Sequence, residues 1–234
     1  MPLATFPAFV TKSSILPTAA GLKALKTETN GKRCVPPAVR TSPADYRASK
    51  YPNYSTQEGN ENNKSCASGW TPFNRPSGVW CMKTFKGAMS VVEAEENCES
   101  HNATLSSLQN LDEANWVSAN GFLTLNRTGS LWLGAERKPA CIGKNLTATC
   151  TTTTSFQWSD NSVNQTAPFN WDKNQPDNAH TREQDCVVIL ASNRSLLVKK
   201  VVWWPAKLDD VGCNPNVKDP SIRAISGYVC GKFA

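Results

Sequence analysis

Nine cysteines constrain this 234-residue chain more than any other feature of its sequence, because eight of them fall within the 165 residues from 66 to 230. They stand at positions 34, 66, 81, 98, 141, 150, 186, 213 and 230. No two form a C-x-x-C pair and the chain has only two histidines, so a structural zinc site is poorly supported. The eight clustered cysteines instead predict four disulfides, with Cys34 left over for a bond between chains or a free thiol.

Other signals favour a secreted, extracellular protein. Seven N-x-S/T sequons begin at positions 53, 63, 102, 126, 145, 164 and 193, as expected of a glycoprotein from an oxidising, secretory compartment. No stretch of the sequence reaches transmembrane length. The first 26 residues lack an apolar segment behind basic residues and so make a poor signal peptide. We therefore expect either a misassigned start or a mature fragment.

Composition divides the chain at residue 65. Residues 1–65 contain no tryptophan and carry nine Lys or Arg against four Asp or Glu, whereas residues 66–234 hold all eight tryptophans and carry sixteen basic against fifteen acidic residues. We interpret residues 1–65 as a disordered, low-complexity basic linker or stalk and residues 66–234 as one folded domain. Nothing in the sequence has the pattern of a nucleic-acid-binding surface.

The pattern of elements predicts an α+β domain. Ser90 with Glu93, and Asn110 with Glu113, are spaced as capping boxes at the start of two helices, the second of which we expect Gly121 to end. Short β-type runs follow: LWLGA (131–135), SFQW (155–158), DCVVIL (185–190), KKVVWW (199–204) and GYVCG (227–231). Helices early and strands late favour segregated α and β parts. The stretch from 135 to 185 has little regular structure, and such long loops are usually functional.

In this order, the motifs AEENC, LSSL, LWLGA, W…QPD, DCVVIL, LDDVGC and GYVC resemble a C-type lectin-like domain of the long form over about residues 66–232. The resemblance implies two helices flanking small antiparallel sheets, a long loop region and stapling disulfides. It pairs the cysteines as Cys98–Cys230, Cys186–Cys213 and, in an N-terminal hairpin, Cys66–Cys81. Cys141–Cys150 would then staple the long loop, a bond that the family pattern does not require.

The same resemblance implies a Ca²⁺ site. Its ligands would be Gln175 and Asp177 from the loop, with Asp209 and Asp210 from LDDVGC, and the proline between the loop ligands would follow a cis peptide bond. The family's usual acid two residues before the next cysteine is Gln184 here, with Glu183 one step earlier, and either could complete the set. Three clustered carboxylates favour a cation over a solvated acidic rim, because Ca²⁺ affinity follows the number of charged ligands.

The resemblance further implies carbohydrate binding, in which sugar hydroxyls complete the coordination of Ca²⁺. The order Q-P-D resembles the galactose or N-acetylgalactosamine type, and His180 is the available stacking ring. Asp209 replaces the usual Asn and can only accept hydrogen bonds. The alternative is a domain with a degenerate site that binds a protein ligand or dimerises, which the odd Cys34 favours. The chain has no G-x-S-x-G or H-E-x-x-H motif, so we do not expect an enzyme.

Overall fold

The computed structural model describes residues 65–163, 169–179, 182–214 and 219–234. Residues 1–64, with Cys34, lie outside the described residues, so the division of the chain at residue 65 stays a prediction. The helices are α1 (Val91–Glu99) and α2 (Leu111–Leu125). The strands are β1 (Thr71–Arg75), β2 (Gly78–Lys86), β3 (Thr104–Leu105), β4 (Gly129–Arg137), β5 (Phe156–Trp158), β6 (Cys186–Ala191), β7 (Leu196–Val198), β8 (Val201–Trp203), β9 (Leu208–Val211) and β10 (Ile225–Phe233).

Both predicted helices form, and each begins at the expected cap. Ser90 and Glu93 make a complete capping box before α1. The second box is only half made: Asn110 accepts from the Glu113 N–H, but the Glu113 carboxylate turns inward to the Arg75 guanidinium at 2.7 Å. The prediction that Gly121 ends α2 is wrong, because the helix runs on to Leu125.

A close helix–sheet approach explains the misplaced end of α2. A Cβ on Gly121 would lie 2.4 Å from Leu131 Cδ1 and 3.1 Å from Ala191 Cβ, so this glycine serves packing against β4 and β6. The helix ends instead at Asn126, whose left-handed backbone (φ 54°) stops the helical repeat, a conformation that Asn tolerates better than most residues.

Within the described residues, eight strands join in one sheet. The main path runs β1-β2-β10-β4-β6-β9, with β3 beside β10 and β5 beside β4. The pairs are antiparallel except β10 with β4, which is parallel and links the two halves of the sheet into one. The two remaining strands, β7 and β8, form a separate hairpin, and the expected run at 199–204 is a strand only over Val201–Trp203.

The core lies between the sheet and the helices, and the disulfide between Cys98 and Cys230 is buried within it. Its fully buried side chains include Trp132, Trp158, Phe156, Met82 and Leu208. The four expected disulfides are all present: Cys66–Cys81, Cys98–Cys230, Cys141–Cys150 and Cys186–Cys213. The α+β fold with two helices, sheets and a stapled long loop is therefore confirmed. Neither described helix has the length and apolar character needed to cross a bilayer.

Candidate functional site

The Q-P-D loop meets Asp210 where the long loop passes beside the paired strands β6 and β9. The two strands pair with Val187 opposite Asp210 and Val188 opposite Asp209. Because side chains alternate along a strand, the two neighbouring aspartates point to opposite faces. Asp210 is completely buried, whereas Asp209 keeps a small exposed fraction.

The Q-P-D loop is fastened to β9 by the Asp210 carboxylate. The Gln175–Pro176 peptide bond is cis, as the resemblance implied. The Asp177 N–H donates to Asp210 Oδ1 at 2.9 Å, and the Asn178 N–H donates to Asp210 Oδ2 at 2.9 Å. Asp177 itself is exposed, and its carboxylate accepts from the Ala179 N–H at 3.0 Å. Asp210 therefore organises the loop from inside, while Asp177 stands on the surface.

Arg137, at the end of β4, supplies the positive charge beside Asp210. Its Nη2 donates to Asp210 Oδ2 at 2.7 Å and to the Gln184 carbonyl oxygen at 2.8 Å. Its Nε lies 3.0 Å from Asp185 Oδ1, and the guanidinium covers the Phe156 ring at 4.5 Å. Burial raises the pKa of Asp210, and the two backbone N–H donors and Arg137 oppose that rise. The Arg137 guanidinium therefore lies close enough to compensate the negative charge of the buried Asp210 carboxylate.

Asp209 faces a second arginine. Arg223 Nη2 donates to Asp209 Oδ2, and the Arg223 guanidinium lies 3.2 Å from the centroid of the Trp203 ring. Burial raises the pKa of Asp209 to about 7, although the charge of Arg223 lowers it. Each of the adjacent aspartates of LDDVGC therefore has an arginine of its own.

The remaining predicted ligands have separate surroundings. Glu183 is exposed. Gln184 Nε2 donates to the Asp210 carbonyl oxygen at 2.7 Å, and the Gln184 N–H donates to Asn178 Oδ1 at 3.0 Å. Its Oε1 is buried without a hydrogen-bond partner. His180 lies outside the described residues, so its suggested stacking role stays a prediction.

This donor set does not fit Ca²⁺ as it is arranged. Both Asp210 carboxylate oxygens and its carbonyl oxygen already accept protein hydrogen bonds, and Arg137 occupies the charge-compensating position. Two buried acceptors at the site have no hydrogen bond: Gln184 Oε1 is neutral and adds nothing to the charge on which Ca²⁺ affinity depends, and Asp185 Oδ1 lies 3.0 Å from Arg137 Nε, which compensates its charge. In the part of the chain that the structure describes, no three Asp, Glu, His or Cys side chains come together as a metal site.

Sequence reasoning missed the two arginines that decide the electrostatics of the site. Arg137 closes the run LWLGAER, and a charged residue at the end of an otherwise apolar central strand was the available signal. Asp185 was a second signal in the sequence, since this acid directly precedes a disulfide-bonded cysteine. Arg223 lies 13 residues beyond Asp210 in an irregular segment, and no motif there indicated that its side chain would contact β9.

Comparison with known proteins agrees with the fold. The model of the family described as C-type lectin domain-containing protein 141/158 matches residues 70–233. That match spans more than half of the chain and includes every helix and strand described above.

Three solved structures illustrate the likeness. The carbohydrate-recognition domain of cow CD23, crystallised with a GlcNAc2Man3 oligosaccharide, is 22% identical, with 73% of this chain and 97% of that chain covered and a TM-score of 0.48. Human lithostathine is 17% identical, with 77% and 99% covered and a TM-score of 0.48. The C-type lectin CEL-I from Cucumaria echinata is 17% identical, with 74% and 100% covered and a TM-score of 0.49. At these identities the likeness concerns the fold alone.

Proposed function

We propose that this chain, which belongs to the family of C-type lectin domain-containing proteins 141/158, is a secreted recognition domain that binds a protein ligand without Ca²⁺. Binding, and not catalysis, is the activity we assign to it. The single observation that carries the proposal is the ion pair of Arg137 with Asp210. The four disulfides support an oxidising, extracellular setting.

The electrostatics of Arg137 work against a divalent cation at this position. Two unit charges 4 Å apart interact by about 4 kcal/mol at an effective dielectric constant of 20, so a guanidinium at such a distance would repel Ca²⁺ by about twice that. The Arg137 side chain is almost completely buried, and its hydrogen bonds to Asp210 and to the Gln184 carbonyl fix it in place. The ion could enter only if Arg137 left, and that would break a buried pair.

A Ca²⁺-dependent lectin of the galactose or N-acetylgalactosamine type is the second candidate. Two observations favour it: the loop keeps the Q-P-D order, and Gln184 Oε1 is a buried acceptor without a partner. In that case Gln175, Asp177 and Asp209 would bind the ion and the sugar together with Asp210, and Glu183 or Gln184 would complete the set. This candidate requires Arg137 to move away from Asp210.

Thermal unfolding in 5 mM Ca²⁺ and in EDTA separates the two candidates. We expect the same melting temperature in both, because among the described residues the Asp210 carboxylate is already held by Arg137 and two backbone N–H groups. A ligand at one hundred times its Kd would add about 2.7 kcal/mol. At about 2–4 °C per kcal/mol for a chain of this size, that is a rise of about 5–11 °C. A rise of this size, together with Ca²⁺-dependent binding to a galactose array, would establish the lectin.

Binding of the labelled chain to intact cells tests the class of ligand. We expect the signal to persist in EDTA, to survive enzymatic removal of surface glycans and to disappear after mild proteolysis of the cell surface. Asp177→Lys, on the exposed loop, should reduce binding. Glu96→Lys makes the same charge change on the exposed part of α1 and should not. Loss of the signal on deglycosylation would contradict a protein ligand.

A further inference from the structure

The hairpin of β7 and β8 stands apart from the main sheet. Its strands pair with Leu197 opposite Val202 and Val198 opposite Val201. The two-residue turn is Lys199–Lys200, both with left-handed backbone (φ 49° and 69°), which is the geometry of the tightest β-hairpins. Two lysines therefore form the tip of a short, regular hairpin whose neighbouring residues are apolar.

Large apolar side chains of this hairpin are exposed on both of its faces. The exposed fractions are 74% for Leu197 and 42% for Val202, which share one face as cross-strand partners. Val201, on the opposite face, is 46% exposed, and Trp204, just after β8, is 53% exposed. Clustered exposed apolar residues mark interaction surfaces, because their exposure to water is unfavourable.

The base of the hairpin is fixed to the domain. Leu196 is buried, the Trp203 ring lies under Arg223, and the Trp204 N–H donates to the buried Asp172 carboxylate at 2.8 Å. The exposed apolar side chains on the strands are thus presented by a hairpin whose base is fixed, which lowers the entropy lost on binding.

The segment that contains the hairpin carries charge of one sign. Residues 193–207 contain four basic residues and no acidic one. The domain of residues 66–234 has sixteen basic and fifteen acidic residues, a net charge of +1, so its remaining part carries +1 minus +4, or −3. The positive charge of the domain is therefore concentrated on the segment that exposes its apolar side chains.

We propose that the β7–β8 hairpin binds the surface of an anionic lipid bilayer. Leu197, Val201 and Val202 would enter the boundary between headgroups and acyl chains, as apolar side chains of interfacial segments do. The four-carbon stems of Lys199 and Lys200 would let their ammonium groups return to the anionic headgroups. This site is separate from the Arg137–Asp210 site and does not depend on the function proposed there.

A bilayer fits these residues better than the other anionic partners. A sulfated polysaccharide would satisfy the lysines but offers no apolar phase for Leu197 and Val202. A second copy of the chain is disfavoured at long range, because each copy carries a net charge of +6. An anionic bilayer supplies both the negative charge and the apolar interior.

Co-sedimentation of the full chain with phosphatidylcholine vesicles containing 30% phosphatidylglycerol tests the proposal. We expect binding to these vesicles and much weaker binding to pure phosphatidylcholine. Leu197→Ser with Val202→Ser should lower the partition coefficient more than tenfold, while Val92→Ser with Leu111→Ser, also exposed on the helices, should leave it unchanged. Lys200→Gln should lower it about fivefold at low salt, and Lys86→Gln, at an exposed position of β2, should lower it less.

Quenching by brominated lipid gives a readout that aggregation would not produce. We expect bromolipid vesicles to quench part of the tryptophan emission, and Trp204→Phe to remove most of that quenching. Equal binding of all variants would overturn the proposal, because the basic segment 1–65 alone would then account for it. Binding to heparin without binding to vesicles would also overturn it, and so would hairpin variants that changed only the oligomeric state.

Discussion

Replacing Arg137 by Met tests whether its guanidinium holds the candidate site together. The substitution keeps an unbranched side chain of similar length against Phe156 but removes the charge. Asp210 would then remain completely buried, with two backbone N–H donors and no cation. Removing one partner of a buried ion pair costs about 3–5 kcal/mol, because the other charge stays desolvated. We expect Arg137→Met to lower the free energy of unfolding by that amount at pH 7.

The cost of Arg137→Met should depend on pH in a predictable direction. Burial already raises the pKa of Asp210 above its ordinary 3.8, and loss of the guanidinium raises it further. A carboxyl whose folded pKa exceeds its unfolded pKa is protonated more readily in the folded state, so stability falls as pH rises between the two values. The variant should therefore lose less stability at pH 4 than at pH 7.

Urea unfolding followed by tryptophan fluorescence measures these differences at both pH values. A double-mutant cycle with Asp210→Asn should return a coupling energy of at least 1 kcal/mol, as for residues in direct contact. Arg75→Met is the matched control, since Arg75 forms an equally buried pair with Glu113 away from the loop. A cost below 1 kcal/mol for Arg137→Met, or a cost that did not change with pH, would refute the reasoning.

The same variant can be used to regain a Ca²⁺ site. Arg137→Met combined with Gln184→Glu removes the repelling charge and adds a carboxylate at the position where the family pattern places one. We expect millimolar Ca²⁺ to raise the melting temperature of this double variant, because the ion would compensate the buried charge of Asp210 that Arg137 no longer compensates. Arg75→Met with Gln184→Glu should show no such rise. An identical Ca²⁺ response in both double variants would mean that Arg137 does not exclude the ion.

Four further substitutions test other parts of the fold. Cys230→Ser opens a bridge that spans 132 residues and should cost about 5 kcal/mol, whereas Cys150→Ser opens one that spans 9 residues and should cost about 2.7 kcal/mol in urea unfolding. Gly121→Ala should lower stability by about 1–3 kcal/mol, because its Cβ would overlap Leu131, although the same change in an exposed helix is stabilising. Burial raises the pKa of Asp209 to about 7 from 3.8, so stability should fall as pH rises from about 4 to 7, and Asp209→Asn should flatten that slope.

The fold was predictable from the sequence because several signals are local. Caps at Ser90 and Asn110 and the apolar run of β4 each depend on a few neighbouring residues. The resemblance then supplied the long-range pairs, including the Cys98–Cys230 bridge. The end of α2 was misplaced because Gly121 is a strong local stop signal, and its packing partners on β4 and β6 are distant in sequence.

The electrostatics of the candidate site were not predictable in the same way. The ligand pattern named the loop and Asp210, which hydrogen bonds join in the structure, but a pattern of acids does not reveal which cation compensates them. Arg137 reaches Asp210 across 73 residues, and Arg223 reaches Asp209 around an irregular segment. Whether a carboxylate faces a metal or a guanidinium is decided by such long-range contacts. The order of residues along the chain does not reveal them.

The strand order has a consequence for how the domain is made in the cell. Strand β10 lies in the centre of the sheet between β2 and β4. The sheet therefore cannot be completed until the residues of β10 have left the ribosome. At about 5–20 residues per second, Cys98 waits roughly 7–26 s for its partner 132 residues later. During that interval four other domain cysteines, at positions 141, 150, 186 and 213, emerge, and those at positions 66 and 81 have already emerged. Correct pairing therefore relies on thiol–disulfide exchange after synthesis, and its yield should rise when a disulfide isomerase is supplied during expression.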